Sequence, residues 1–402
     1  MTARTFTNAR IVTPGTVIEN GALATEGPVI VDVGDACSPR GATIDFEGDL
    51  LLPGLVELHT DNIERHMAPR PGVSWPTRNA IVAHDAEMAA AGFTTVLDAV
   101  RIGDIWKDEA FDERVPSTLD AIGRLNDAGL TRAEHFVHLR CEICHGSTAE
   151  TFERVSGVPG VRLVSLMDHT PGQRQFVDAD KLKFYYVQKY GMTDAQFERF
   201  VAERLAAHEL YSASNRRRIV ERARNAGHAL ASHDDATLAH VDEAIADGVS
   251  IAEFPTTVTA AKASHEAGLA VMIGGPNLVL GGSQSGNVAA IELARAGAAD
   301  IISSDYVPAS ALTGAFALAA AIGLDLPEAI RTVSLNPARA IGCADRGELA
   351  PRKRADLLRV RLVDGSPIIR EVWRSGDGCT GLRPAQIRRL RGRQRRLAAC
   401  SE

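Results

Sequence analysis

An apolar run in residues 51–66 (LLPGLVELHTDNIERH) ends in side chains that can bind metal ions. Residues 55–58 predict a buried strand. Because side chains alternate along a strand, Glu57, His59 and Asp61 are expected on one face. An imidazole and a carboxylate two residues apart can chelate one divalent ion where a strand opens into a loop. The alternative is a strand end with ordinary polar residues. The residues at the ends of the other predicted strands distinguish the two interpretations.

Imidazoles and carboxylates also end the later apolar segments of the chain. In chain order, the predicted strand ends carry His59, Asp61, Glu142, His169, His233, Glu253 and Asp305. Any one of these residues could be a satisfied core or rim group. Together, nitrogen and oxygen donors at so many strand ends favour a site for Zn²⁺, Mn²⁺ or Fe²⁺. We expect the metal ligands to be His59, Asp61, Glu142, His169, His233 and Asp305. The role of Glu253 stays open.

Residues next to these candidates could support them. His138 and Arg140 lie on a predicted strand that ends at a candidate ligand, where they could hold that ligand or the substrate. Asp234 follows His233 directly and could orient it by a hydrogen bond. We expect Asp305 to be catalytic, because a carboxylate at the last strand can bind metal and also take or deliver a proton.

This donor set predicts hydrolytic chemistry. A bound divalent metal lowers the pKa of water to about 7 in favourable cases. The sequence contains no serine or cysteine nucleophile motif, Walker loop or kinase signature that would favour other chemistry. We expect one or two divalent ions, with zinc first and manganese or iron as alternatives.

Basic and small polar residues in the predicted loops favour an anionic substrate. The loop after the first strand contains Arg65, His66, Arg70 and Arg78, and residues 274–287 (GGPNLVLGGSQSGN) are rich in glycine and hydroxyl groups. An insertion at 171–226 adds Arg174, Lys181, Lys183 and Lys189 before a predicted amphipathic helix. Cationic side chains and exposed backbone N–H groups suit phosphate oxygens. We expect a phosphorylated substrate bound by Arg70, Lys183, Asn277 and Ser283. Alternatively, the glycines serve loop conformation alone and the insertion is a solvated helical excursion.

These residues need a scaffold that brings distant strand ends together. From residue 84 onward, alanine-rich helices end at glycine and an apolar strand follows almost at once. Apolar strands behind helices indicate a parallel sheet that is buried on both faces. The predicted strands lie near 55–61, 94–100, 135–142, 161–169, 229–235, 250–255, 270–275 and 300–305. They predict an α/β fold, a (β/α)8 TIM-like barrel whose active site lies at the carboxyl ends of the strands. The alternative, a doubly wound open sheet, would be favoured by a glycine-rich dinucleotide turn, which is absent.

Both ends of the chain have the alternating pattern of short strands. Residues 1–52 and 343–380 show this pattern, and residues 326–342 predict a helix between the barrel and the second β segment. We expect the two β segments to form one small β-sandwich domain beside a barrel of residues 53–342. Residues 381–402 form an Arg-rich tail that could contact phosphates, acidic partners or nothing.

Length, composition and charge argue against several classes of protein. The chain has 402 residues, of which 45% are hydrophobic, and a net charge of -7. This size allows one large domain and a small one, and the acidic balance argues against a nucleic-acid binder. No apolar run reaches the ~20 residues of a membrane span, and the first residues lack the apolar core of a secretory signal. Six irregularly spaced cysteines fit a reducing compartment. We expect a cytoplasmic homo-oligomer that binds neither nucleic acid nor membrane.

Longer motifs resemble a known superfamily. The segments LLPGLVELHTDN and NPARAIGCADRGELAPRKRADL resemble those of the amidohydrolase superfamily, and the resemblance covers nearly the whole chain. More narrowly, HTDNIERHMAPRPGVSWP, SLMDHTPGQ, ASHDDAT and SSDYVP are similar to motifs of a diphosphatase family that acts on a ribosyl triphosphate in bacterial phosphonate use. This resemblance implies hydrolysis of the 5-triphosphate to the 5-phosphate and pyrophosphate.

The resemblance also implies roles for the strand-end residues. The HxH pair usual on the first strand is replaced here by His59-Thr60-Asp61, and Glu142 corresponds to a bridging glutamate. His169 and His233 correspond to the two later histidines, although they lie on earlier strands than is common. Asp305 matches the aspartate of the eighth strand. Two alternatives remain at this point: a cyclic amidase or deaminase of the same superfamily, and a non-catalytic scaffold subunit.

Overall fold

The computed structural model describes residues 2–70, 72–103, 111–174, 191–283 and 286–379. The predicted Arg-rich tail therefore lies outside the described residues. Within these ranges, no helix combines the length and apolar character needed to cross a membrane.

Eight parallel strands form the central sheet, in the same order along the sheet as along the chain. They are β6 (Leu55–Thr60), β7 (Phe93–Ile102), β8 (Glu134–Glu142), β9 (Val161–Met167), β10 (Ala229–His233), β11 (Ile251–Glu253), β12 (Ala270–Gly274) and β13 (Ile301–Ser303). Their positions match the eight predicted strands to within a few residues. The prediction of a (β/α)8 barrel is therefore confirmed.

Helices connect the barrel strands and cover their outer faces. They are α1 (Asn62–Met67), α2 (Thr77–Ala90), α3 (Phe111–Asp127), α4 (Thr148–Val155), α5 (Asp194–Ala226), α6 (Leu238–Ala246), α7 (Val258–Glu266), α8 (Gly275–Leu280), α9 (Ala290–Arg295) and α10 (Ser310–Ile322). The predicted helix of the long insertion is α5. It begins with a capping box at Thr193 and ends at Gly227, whose φ of 73° is the left-handed conformation that stops a helix.

The helix predicted at 326–342 is instead two helices, α11 (Leu326–Arg331) and α12 (Leu335–Ala340). The chain leaves the helical path between them because two backbone carbonyls bond to the barrel. The Thr332 carbonyl accepts from the Ile302 N–H at 2.9 Å, and the Val333 carbonyl accepts from the Val56 N–H at 3.0 Å. The interruption thereby ties the connection to the first and last strands of the barrel.

Side-chain hydrogen bonds close the barrel between β6 and β13. The Glu57 carboxylate accepts from the Ser303 hydroxyl at 2.6 Å and from the Ser304 N–H at 2.8 Å. It also accepts from the His59 N–H at 2.8 Å. Complete burial raises the pKa of Glu57, and these donors partly offset that effect. Glu57 therefore joins the two strands next to the site that the sequence predicts at their ends.

A second sheet brings the two ends of the chain together. It contains β1 (Ala3–Val12), β2 (Val17–Glu26), β3 (Val29–Gly34), β4 (Ala42–Asp45), β5 (Leu50–Pro53), β14 (Leu357–Val363), β15 (Ser366–Arg374) and β16 (Asp377–Gly378). Strand β5 pairs with β14, so residues from both ends share one sheet. β1 pairs with β4 along its first half and with β5 along its second half. The rings of Phe6, Phe46 and Trp373 pack together in its core.

A buried ionic network joins α2 to the barrel wall. Asp98 on β7 lies 2.8 Å from His84 Nε2 and 2.9 Å from His135 Nδ1. The other nitrogen of His135 lies 3.2 Å from Asp85 Oδ1. Burial opposes the charge on His135, but Asp98 and Asp85 outweigh it and raise the pKa of His135 to about 10. Because both of its nitrogens face carboxylates, His135 is an imidazolium that holds two elements together.

We expect Asp98→Asn to lower the free energy of unfolding by about 3–5 kcal/mol, since it leaves a buried imidazolium with one of its two carboxylates. Urea-induced unfolding measures the change. Asp120→Asn is the matched control, because Asp120 is exposed and pairs with Arg124 on one helix turn, where a loss of under about 0.5 kcal/mol is expected. Equal losses for the two variants would contradict a stabilising role for the network.

The same network links stability to pH. His135 has a folded pKa of about 10 against an ordinary value of 6.5, so its contribution is fully present below about pH 6.5. The contribution is expected to decline as pH rises through 10.

Candidate active site

A cavity of about 520 Å³ opens at the carboxyl ends of the barrel strands. The residues lining it include seven that the sequence singles out as ligands or substrate-binding groups: His59, Asp61, His169, His233, Asn277, Ser283 and Asp305. Arg140 and Asp234 also line it. Strand ends from most of the barrel therefore contribute to one cavity, as the fold requires.

Three imidazoles form a row across the floor of this cavity. The ring centroids of His59 and His233 are 5.5 Å apart, and those of His233 and His169 are 5.6 Å apart. The Asp234 carboxylate lies 2.9 Å from His233 Nδ1 and 3.9 Å from His169 Nε2. Potential ligand atoms of His169, His233 and Asp234 all lie within 4.8 Å of one another. This spacing allows one ion to be shared among them after small side-chain adjustments.

Buried atoms with poor hydrogen-bond geometry are compatible with a metal ion at this site. Among the described residues, His59 Nδ1 and Glu253 Oε1 face each other at 3.3 Å and Asp234 Oδ2 lies beside His233, but none of these three buried atoms makes a hydrogen bond of acceptable geometry. Buried polar atoms without partners are costly, so natural proteins pair them with water or ions. Burial also holds the pKa of His59 well below its ordinary value, which keeps the ring neutral as a metal ligand must be. The residues present are therefore compatible with a divalent ion.

Glu142 lies behind one of the imidazoles. Its Oε2 is 2.5 Å from His169 Nδ1, and its Oε1 accepts from the His169 N–H at 3.0 Å and from the Cys144 thiol at 3.0 Å. Burial acts to raise the pKa of Glu142, but His169 outweighs it and lowers the pKa. With Nδ1 held in this way, His169 presents Nε2 to the cavity. Glu142 therefore contacts His169 and is not among the residues that line the cavity, and its bridging role implied by the family resemblance stays a prediction.

Glu253 and His138 take similar positions behind His59. Glu253 Oε1 lies 3.3 Å from His59 Nδ1, and Glu253 Oε2 accepts from the Ser165 hydroxyl at 2.5 Å. Burial lowers the pKa of His138 to about 3, so its Nδ1–H can donate to the Leu58 carbonyl while the ring stays neutral. Glu253, whose role the sequence left open, thus faces the imidazole on which the predicted site begins.

Asp61, Arg140 and Asp305 form the charged wall of the cavity. Arg140 Nη1 lies 3.6 Å from Asp61 Oδ2. Burial would lower the pKa of Arg140, but Asp61, Glu64 and Asp305 raise it, so the guanidinium stays charged. Burial and then Asp61 raise the pKa of Asp305 to about 7. A carboxyl group with this pKa can accept and release a proton near neutral pH.

Three left-handed residues shape the strand ends. Asp234, Phe254 and Asp305 follow β10, β11 and β13 with φ angles of 56°, 52° and 53°. This conformation is uncommon for residues other than glycine and is found at functional sites more often than elsewhere. At Asp234 it breaks the alternation of the strand, so that Asp234 and the preceding His233 both line the cavity.

The predicted substrate-binding residues occupy different places. Asn277 and Ser283 line the cavity, and the Asn277 side chain also accepts from the Ala290 N–H at 2.9 Å, which fastens the loop after α8. Arg70 lines a second cavity beside the first. Lys183, with Lys181 and Lys189, lies outside the described residues. Sequence reasoning gave Asp234 only an orienting role, because the left-handed turn that brings it into the cavity has no clear sequence signal.

Comparisons with known proteins agree with this architecture. Residues 50–378 match the model of the amidohydrolase family. A protein of Escherichia coli described as alpha-D-ribose 1-methylphosphonate 5-triphosphate diphosphatase is 46% identical over 371 residues, which cover 92% of this chain and 98% of that protein.

Solved structures share the fold at low sequence identity. N-acetyl-D-glucosamine-6-phosphate deacetylase from Mycobacterium smegmatis is 18% identical with a TM-score of 0.60, over 94% of this chain and 99% of that chain. N-isopropylammelide isopropylaminohydrolase from Burkholderia multivorans is 18% identical with a TM-score of 0.61, over 94% of this chain and 98% of that chain. With the family match covering most of its length, this chain belongs to the amidohydrolase family.

Proposed function

We propose that this protein hydrolyses α-D-ribose 1-methylphosphonate 5-triphosphate to the 5-phosphate and pyrophosphate. The observation that carries the proposal is the 46% identity to the Escherichia coli diphosphatase, which extends over 98% of that protein. The candidate active site supports it independently, since buried imidazoles and carboxylates meet there beside a charged arginine. Such a site suits hydrolysis of an anionic substrate.

We further propose that His59, His169, His233 and Asp234 hold the metal, with Asp61 and Asp305 on the open side of the site. Glu142 and Glu253 would orient the imidazoles from behind. Imidazole with carboxylate suits zinc, in one or two ions, and manganese or iron are the alternatives. A divalent ion bound there polarises phosphoryl oxygens and makes water more acidic.

Asp305 and Arg140 then have distinct roles in the reaction. A water oxygen bonds to the phosphorus of the first, ester-linked phosphate, and Asp305 takes a proton of that water. The bond from phosphorus to the bridging oxygen breaks, and pyrophosphate leaves with that bond's electron pair. Arg140 faces the same cavity and stabilises the negative charge that develops on the phosphoryl oxygens.

Helix α8 and the loop after it would bind the phosphates that leave. Asn277 on α8 and Ser283 in the loop line the cavity, and they can donate hydrogen bonds to phosphate oxygens. The Asn277 contact with the Ala290 N–H keeps this loop in place.

Phosphorus NMR with the ribosyl triphosphate tests the activity. Metal-loaded protein is expected to release pyrophosphate, and chelator treatment is expected to abolish the release until a divalent ion is added back. A panel with nucleoside triphosphates measures specificity for the ribosyl substrate. If metal-loaded protein releases no pyrophosphate from it, the proposed substrate is wrong.

Metal content tests the proposed ligands separately from activity. His233→Ala is expected to reduce bound metal to well below that of the unaltered protein, since it removes the central imidazole of the row. His265→Ala is the control, because His265 is partly exposed and pairs with Asp300 outside the cavity. Unchanged metal content in His233→Ala, measured by atomic emission after dialysis, would contradict the ligand assignment.

A further inference from the structure

Asp305 lies where the first and last strands of the barrel meet. Strands β6 and β13 are at the two ends of the sheet order, and Asp305 follows the end of β13 by two residues. It belongs to a turn in which the Val307 N–H donates to the Ser304 carbonyl at 3.0 Å. Because this turn leaves the strand, the N–H and the carbonyl of Asp305 need partners outside a strand ladder.

Side-chain hydroxyls supply both partners. The Asp305 N–H donates to Ser303 Oγ at 3.2 Å, and the Thr60 hydroxyl donates to the Asp305 carbonyl at 2.9 Å. The other two left-handed residues at the strand ends differ, since the N–H groups of Asp234 and Phe254 donate to backbone carbonyls on neighbouring strands. The position of Asp305 thus depends on two side-chain hydroxyls.

Thr60 also contacts the segment that carries the second carboxylate of the charged wall. Its hydroxyl oxygen accepts from the Asn62 N–H at 3.3 Å, on the far side of Asp61 in the chain. His59 and Asp61 line the candidate active site, whereas Thr60 between them is completely buried and does not line it. One hydroxyl therefore connects the backbone of Asp305 to the chain on both sides of Asp61.

We propose that Thr60 is a positioning residue, which fixes the Asp305 carboxylate relative to Asp61 so that it can take the proton of the attacking water. The inference rests on the proposed function, in which Asp305 takes that proton. A left-handed aspartate persists only where surrounding contacts hold it, and the Thr60 hydroxyl is one of these contacts. A displacement of about 1 Å at a reacting group can cost a factor of about 10² in rate, so this one hydroxyl affects kcat without touching the substrate.

Hydrogen exchange tests the positioning without any substrate. Thr60→Val keeps the branched shape of the side chain but removes the hydroxyl. Peptides that contain residues 303–307 are expected to exchange about tenfold faster in Thr60→Val than in the unaltered protein, and at nearly the unaltered rate in Thr60→Ser. Thr60→Ala takes the place of Thr60→Val if the valine variant does not fold. Unchanged exchange in the variant without a hydroxyl would overturn the proposal.

Thr332→Val is the matched control. Thr332 is also buried, and its hydroxyl donates to the Ala329 carbonyl at 2.7 Å, away from the residues that line the candidate active site. Its loss is expected to lower stability to a similar degree, because a buried hydroxyl and its hydrogen bond are removed in both variants. Exchange at residues 303–307 and kcat should stay at the values of the unaltered protein.

Kinetics of the metal-loaded protein with the ribosyl triphosphate test the consequence for catalysis. Thr60→Val is expected to lower kcat about tenfold to a hundredfold with KM within about twofold, and Thr60→Ser to restore kcat to within about threefold. Combined with Asp305→Asn, Thr60→Val should lower kcat by less than about twofold, because the carboxylate that Thr60 positions is absent. Losses that multiply in the double variant would overturn the positioning role.

The two experiments separate this inference from the proposed function. If the unaltered protein does not cleave the ribosyl triphosphate, the proposed function fails and the catalytic part of the inference fails with it. If the protein cleaves this substrate but exchange is unchanged or the losses multiply, the inference alone fails. Faster exchange at residues 303–307, together with losses that do not multiply, supports it.

Discussion

Asp305→Asn is expected to lower kcat by a factor of about 10² to 10⁴, the usual contribution of a positioned proton acceptor. Asp305 lines the candidate active site, and burial together with Asp61 raises the pKa of Asp305 to about 7. The amide keeps the size of the side chain but cannot take the proton of the attacking water. Pyrophosphate release at substrate saturation measures the effect.

A control variant matches both the substitution and the backbone. Asp364 is exposed in the turn between β14 and β15 and has a φ of 51°, close to the 53° of Asp305. Asparagine tolerates this left-handed conformation, so Asp364→Asn should keep full activity. Metal content of Asp305→Asn must be measured in parallel, because loss of metal would itself remove activity. Full activity in Asp305→Asn would refute the proton-acceptor role.

Asp305 also links metal binding to pH. Because the pKa of Asp305 in the protein without metal is about 7, its carboxyl group is protonated below that pH. Protonation removes a negative charge from the wall of the site, so metal affinity is expected to fall as pH drops through 7. Zinc titrations of the metal-free protein on both sides of pH 7 measure this dependence. Affinity that is independent of pH in this range would contradict it.

The barrel could be predicted because its signals are local. Each helix that ends at a glycine and each apolar strand is visible in the sequence alone, as at Gly227 before β10. The break between α11 and α12 was not predictable in the same way. It depends on bonds from Ile302 and Val56, which are far away in the chain. Local periodicity continues through residues 332–334, and only the closed barrel shows why the helix must stop there.

The candidate site was likewise predictable from the sequence only in part. Strand ends predicted which residues would meet, and His59, His169, His233 and Asp305 do line one cavity. The direction in which each side chain points was harder to predict from the sequence. Glu142 turns toward His169, where its oxygens accept hydrogen bonds.

Loop paths were the hardest part to foresee. Arg70 follows the first strand closely in sequence, yet the chain carries it into the second cavity. Left-handed residues pose a similar problem, since Asp234 enters the active site through its φ of 56°. A one-dimensional pattern of polar residues contains neither a loop path nor a dihedral angle, so both had to come from the structure.

Arg140→Met is the second substitution with a large expected effect. Arg140 is a largely buried cation that lines the candidate active site, 3.6 Å from Asp61 and close enough to Asp305 to lower its pKa. Loss of one preorganised donor to a developing oxyanion costs about 10² to 10³ in kcat. Arg140→Lys should recover part of the activity, because it restores the charge without the two-pronged geometry. Arg124→Met, at an exposed helix pair, should have no effect.

A change in pH dependence distinguishes an electrostatic role of Arg140 from a purely structural one. Removing its positive charge disfavours the ionised form of Asp305, so the pKa of Asp305 rises above its value of about 7. The pH below which metal affinity declines should therefore move upward in Arg140→Met and stay nearly in place in Arg140→Lys. If both variants lost activity equally and neither moved that pH, Arg140 would act on packing alone. If that pH instead moved upward in Arg140→Met and stayed in place in Arg140→Lys, Arg140 would be the residue that keeps Asp305 ionised and neutralises the phosphoryl group in the same cavity.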